Sequence, residues 1–146
     1  MSIFNGLQIN ASGLALERLK LDTTSTNIAN VNTTRTPEGG PYRRKSVQFA
    51  ENLRQVEADN GNIMEANKRQ SSGVRVTGIA QDQTEKLSYK PDDPDADQNG
   101  YVHLPNVNLA DEMIDLIQSQ RSYEANVASS QVNKQILSKA LEISEN

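Results

Sequence analysis

The sequence predicts a mainly α-helical protein in which long N- and C-terminal helices flank a small β-rich, extended central module. Apolar residues recur every seven positions at Leu7, Leu14, Leu21 and Ile28, which is the repeat of a helical seam. Residues 109–143 contain neither Gly nor Pro and hold apolar side chains at three-four spacing. Between these runs, breaker-rich turns alternate with short stretches in the strand period. The expected division is therefore 1–34 as an N-terminal helix and its Asn/Thr-rich end, 35–105 as the central module, and 106–146 as the C-terminal helix.

In the N-terminal helix, Phe4 and Ala11 fill the half-steps of the seam on the same side. Arg18 and Ser25 thin that stripe, while Leu16 and Leu19 widen it elsewhere. An apolar arc this wide suits contact with more than one neighbour. From Thr23 to Thr36 the composition turns to Thr, Ser and Asn, whose side chains compete for backbone hydrogen bonds and favour caps. The helix should end near Asn30 to Asn32. The run Pro37-Glu38-Gly39-Gly40-Pro41 then opposes any helix or ladder.

In the middle, Tyr42 to Phe49 reads as a strand, and Val74-Arg75-Val76 followed by Ile79 alternates with period two. Asp59 to Asn62 and Ser71 to Gly73 have turn compositions, and Pro91 to Gly100 is an acidic loop.

The C-terminal helix places Leu109, Met113, Leu116, Tyr123, Val127, Leu137 and Leu141 on one seam. Asn108 fits an N-cap, and Asp111 and Glu112 suit the positive end of the helix dipole. Gln120, Ser130 and Lys134 interrupt the seam, while Ala125, Ala128, Val132, Ile136, Ala140 and Ile143 form a second stripe. Two stripes imply two kinds of neighbour. The neutral polar Gln118, Asn126, Ser129, Gln131 and Asn133 lie where a freely solvated helix would more often show charges.

Composition limits what such a chain does. Of its 146 residues 35% are apolar and 4% aromatic, with no Trp, so a large self-sufficient core is not expected and partners become a source of stability. The formal charge of −4 opposes general nucleic-acid binding. The cluster Tyr42-Arg43-Arg44-Lys45 is read as a basic strand edge meeting acidic surface on a neighbour. The absence of Cys excludes disulfides and thiolate metal sites, and His103 is the sole histidine, placed at the surface. No nucleophile turn or phosphate loop occurs. No catalytic, cofactor-binding or metal residues are assigned, and neither a cofactor nor a small-molecule substrate is expected.

Asp95-Ala96-Asp97-Gln98-Asn99-Gly100 opens like a calcium loop, but the twelfth position is Asn106 where a bidentate Glu belongs, and Pro105 stiffens the exit. A calcium-dependent surface binding module is thus an alternative, as is a cytosolic coiled-coil adaptor. No cleavable secretory signal and no membrane-length apolar run is present, which by itself suggests the cytosol.

The segment Asn27-Ile28-Ala29-Asn30-Val31-Asn32-Thr33-Thr34, at the end of an amphipathic helix, resembles the signature of bacterial flagellar axial proteins. Four further stretches are similar to basal-body rod members of that family: Gly40 to Lys45, Tyr89 through Asp97 to Val102, Leu104 to Asn108, and Met113-Ile114-Asp115 with Arg121 to Asn126. Residues 50–72 lie outside these motifs. The resemblance implies terminal helices paired in coiled-coil fashion as an inner layer, a small outer domain and no catalysis. Its partners would be other rod proteins, copies of itself and the flagellar type III export apparatus. It also replaces the cytosolic expectation with export, without a cleaved signal peptide, to the basal body outside the cytoplasmic membrane. The terminal segments are then expected to be poorly ordered in the free monomer and to become helical on assembly.

Overall fold

The structure, a computed structural model, describes residues 3–55 and 69–144. In chain order the elements are α1 (Ile3–Ala29), β1 (Lys45–Gln55), β2 (Arg69–Gln81), β3 (Glu85–Tyr89), β4 (Tyr101–Pro105) and α2 (Leu109–Ser144). β1 pairs with β2, and β3 with β4, in separate two-stranded sheets. Two helices therefore flank a small β region, as the sequence predicts. The expected turn at Asp59 to Asn62 lies outside the described residues.

The helix ends follow local chemistry. Thr23 and Thr26 donate their hydroxyls back to the carbonyls of Leu19 and Asp22, both at 2.7 Å. Asn30 then caps the last turn by donating its side-chain amide to the Thr26 carbonyl at 2.9 Å. α1 thus stops at Ala29, one residue before the expected range. At the start of α2, Asn108 accepts the Ala110 amide on its side-chain oxygen at 3.1 Å and donates to the Asp111 carboxylate at 2.8 Å, which confirms the predicted cap.

The strands differ from expectation in three places. β1 begins at Lys45 rather than Tyr42, because the Tyr42 amide is drawn to the Thr33 carbonyl at 3.0 Å. Ser71 to Gly73 is not a turn but part of β2, where Ser72 and Gly73 are buried. Gly73 has φ +95°, and a Cβ there would run into the Ser12 side chain and the Ile9 backbone. Its glycine composition therefore reflects close approach to α1. β3 and β4 were not anticipated. They pair antiparallel, with Leu87 opposite His103 and Tyr89 opposite Tyr101, and the two tyrosine rings meet edge to face at 5.2 Å.

Two compact units divide the chain. The first comprises Met1–Arg18, Phe49–Thr77 and Arg121–Asn146. Its helical segments run antiparallel: Asn10 donates to Ser129 at 3.0 Å, and Gly6 and Gly13 face the side chains of Asn133 and Asn126. A Cβ at Gly13 would lie 3.0 Å from the Asn126 nitrogen, so the absent side chain permits the close spacing. These contacts are polar and small-residue, and Leu16, at 5% exposure, is the buried aliphatic side chain of this unit among the described residues. Leu7, Leu14, Val127 and Leu137 are only half-buried beside these contacts. The Val74 amide donates to the Ser12 hydroxyl at 3.1 Å and fixes β2 on α1.

The second unit comprises Leu19–Gln48 and Gly78–Gln120. Val102, at 1% exposure, and Tyr42, at 9%, are buried there together with Pro41 and Pro105. Most of its other deeply buried side chains are polar, among them Asn27 and Glu112, and burial obliges such groups to find hydrogen-bond partners.

Candidate assembly interface

The polar node of the second unit is centred on Asn27, the first residue of the Asn27–Thr34 motif. Its side-chain nitrogen donates to the Lys45 carbonyl at 2.8 Å and to the Glu112 carboxylate at 2.9 Å. Its oxygen accepts the Tyr42 hydroxyl at 2.8 Å and the Lys45 amide at 3.0 Å. An amide has two donors and one two-lone-pair acceptor, so Asn27 is saturated. The geometry ties the end of α1 to the chain entering β1 and to the first turn of α2.

Glu112 is 1% exposed, and its charge is met by the Arg44 guanidinium, with Nε at 2.5 Å. Arg44 also reaches Asp115 at 3.6 Å. Burial, and then the Glu112 charge, push the Tyr42 hydroxyl above its ordinary pKa. Tyr42 therefore stays a neutral donor to Asn27. The basic cluster is thus divided: Arg44 turns inward, Lys45 lies 5.9 Å from the centroid of the Tyr42 ring, and Arg43 is exposed.

The acidic loop is tied to the same Asn/Thr-rich segment. Thr34 donates its hydroxyl to Asp95 at 2.5 Å, and Arg35 pairs with Asp95 while donating to the Pro94 carbonyl at 3.2 Å. Asp97 accepts the amides of Tyr101 and Asn99, both at 2.8 Å. The Tyr101 amide in particular holds the Asp97 carboxyl below its usual range. Asp95 and Asp97, the first two ligand positions of the calcium pattern, thus serve different internal partners. Among the described residues no group of three or more His, Asp or Glu side chains is placed to hold a metal ion. His103 is exposed, 2.7 Å from Glu85 and 3.9 Å from Asp97.

Large apolar side chains are exposed on both helices. Along α2, Met113, Ile114, Ile117, Val132, Ile136, Leu141 and Ile143 are exposed, Ile114 at 62% and Ile143 at 78%. Val132, Ile136, Ala140 and Ile143 line a shallow apolar cleft in the first unit. On α1, Phe4 is 69% exposed. Side chains this large gain about 1.5–3 kcal/mol each on full burial, so these faces favour contact with other molecules. Among the described residues, no helix is long and apolar enough to cross a membrane.

Asn27, Tyr42 and Glu112 could not be grouped from sequence, although each fell in a noted segment. The signal was the surplus of neutral polar residues around predicted helix ends.

Two family models match the chain: the flagella basal body rod protein model over residues 7–35, and the C-terminal model of the flagellar basal body rod FlgEFG proteins over residues 98–143. The helices and the segments bordering the node are thus those of flagellar axial rod proteins. Flagellar basal-body rod protein FlgC of Borreliella burgdorferi is 41% identical, covering 98% of both chains. The FlgC proteins of Bacillus subtilis and Salmonella typhimurium are 40% and 35% identical, over 98% and 99% of this chain and 99% and 100% of theirs. The chain belongs to the FlgC family of flagellar basal-body rod proteins.

Proposed function

We propose that the chain is a structural subunit of the proximal rod of the flagellar basal body, polymerising through its terminal helices into the shaft that transmits torque. Full-length similarity to FlgC proteins supports the assignment. The observation that carries the mechanism is the distribution of polarity on the helices. Their contact within the chain uses Gly, Asn and Ser, while Ile114, Val132, Ile136 and Ile143 face outward. A helix pair arranged this way gains most of its apolar burial from neighbours.

In this reading, residues 1–34 and 106–146 form the polymerising, coiled-coil-like layer, and residues 35–105 form a module that buttresses it. The neighbours are other rod proteins together with copies of the same chain. The subunit reaches the basal body through the flagellar type III export apparatus, with an uncleaved N-terminal region, and its role is mechanical rather than catalytic. A calcium-dependent surface module and a cytosolic adaptor find no support in the relatives.

The test is recovery of the protein in isolated basal bodies from cells with and without a working export apparatus. It is expected in the first and absent from the second. Leu14→Asp and Leu116→Asp, each placing a charge on a half-buried seam position, should abolish rod assembly. Normal motility in both would contradict the placement of those faces.

A further inference from the structure

The two sides of the turn at residues 36–41 carry opposite charge. One side is an open groove of about 280 Å³, lined among others by Pro37, Glu38, Tyr42, Arg43 and Lys45. Glu38 is the one carboxylate among its lining residues. Arg43 is hydrogen-bonded to Gln83, and Lys45 lies over the Tyr42 ring. Among the described residues neither cation is ion-paired.

On the other side of the turn, Gly40 and Pro41 border a recess shared with Arg35, Glu85 and Asp95, the last in the middle of the acidic loop. Among the described residues Arg35 is ion-paired with Asp95 alone. Asp92 is exposed and Asp93 half-exposed, and neither has a cationic partner among the described residues. The bonds from Thr34 and Arg35 to Asp95 hold the loop on its own side of the turn.

We infer that the Arg43–Lys45 groove of one copy receives the Asp92–Asp93 corner of the acidic loop of a second copy, head to tail. The inference rests on the proposed role as a polymerising subunit and names one of its interfaces. Two different patches of one surface that complement each other give a heterologous contact, which repeats around a ring or along a helix. Opposite charge orients the approach and sets the register, and the half-open groove admits a loop corner. The contact is separate from the apolar faces of α2.

The chain contains no Cys, which gives a clean background for cross-linking. A chain carrying both Arg43→Cys and Asp92→Cys replaces the native one in cells, and basal bodies are isolated, mildly oxidised and run without reductant. Ladders of cross-linked copies are expected from the double variant and from neither single variant. Recovery of the double variant in basal bodies without such ladders, or with cross-links only to a different protein, overturns the proposal while leaving the rod assignment intact. Absence of even the native chain from basal bodies would instead sink the rod assignment.

A charge exchange supplies the second measurement. Arg43→Asp with Lys45→Asp, and separately Asp92→Arg with Asp93→Arg, should each cut the fraction of swimming cells by about tenfold or more, and all four together should restore it to within about twofold. Normal swimming in both halves, or no recovery in the combination, also overturns the proposal.

Discussion

The Asn27 side chain donates to the Glu112 carboxylate at 2.9 Å across 85 residues of sequence, and both groups are 1% exposed. Asn27→Ala would leave Glu112, the Lys45 backbone and the Tyr42 hydroxyl each short of a partner. The expected loss is about 2–4 kcal/mol, read as a lower urea midpoint of the purified protein. Asn27→Asp should be worse at neutral pH, since it sets a second carboxylate against Glu112. An unchanged midpoint in both variants would show that the node is dispensable.

Gly73→Ala adds a side chain at φ +95° into space held by Ser12 and Ile9. A cost of about 1–3 kcal/mol is expected, with loss of the Val74 to Ser12 hydrogen bond. Gly78, in the same strand, has nothing within 4 Å of a built Cβ, so Gly78→Ala should shift stability by no more than about 0.5 kcal/mol. Thermal melts of the pair provide the comparison.

Asp82 and Asp97 are both held below the ordinary carboxylate range, Asp82 chiefly by the Thr84 amide and Asp97 chiefly by the Tyr101 amide. A carboxyl depressed in the fold contributes stability at pH above its unfolded value of about 3.9, and that contribution fades as pH falls through the lower, folded value. Carboxyl carbon shifts followed by NMR should therefore give midpoints below about 3.9 for both. Asp97→Asn should make stability fall less steeply below about pH 4. A steeper fall would contradict the assignment.

Tyr42 titrates in the opposite sense. Its raised pKa means that its contribution is complete below the unfolded value of about 10 and is lost as pH climbs through the higher, folded value. Glu112→Gln removes the smaller of the two causes and should lower the Tyr42 midpoint without returning it fully to the ordinary value. Ring-carbon NMR with labelled tyrosine reads the change.

Ile136 is 52% exposed in the apolar cleft of α2. Ile136→Asp should change the stability of the free protein by about 0.5 kcal/mol or less while abolishing motility. Equal loss of both would mean that the residue supports the chain's own fold instead.

The sequence by itself determined the features that depend on neighbours along the chain. Asn108 had to cap α2 because its side chain meets an amide two residues on. The Thr/Ser/Asn run from Thr23 had to end α1 through side-chain competition for the backbone, and the Pro37–Pro41 breaker, with its missing donors, kept any regular element from starting before Lys45. The motifs in those same stretches were sufficient to indicate the family. Tertiary structure alone decided which polar groups meet: no periodicity records that Asn27 finds Glu112, or that Asn10 finds Ser129. It also reassigned Ser71 to Gly73 from turn to strand, since close approach and a turn both call for Gly. The pairing of the terminal helices was expected, but its polar partners were not legible for a related reason. Apolar spacing reports the faces a helix buries against all its neighbours, and it does not register the small polar residues, Gly6, Gly13 and Asn10, that meet Asn133, Asn126 and Ser129.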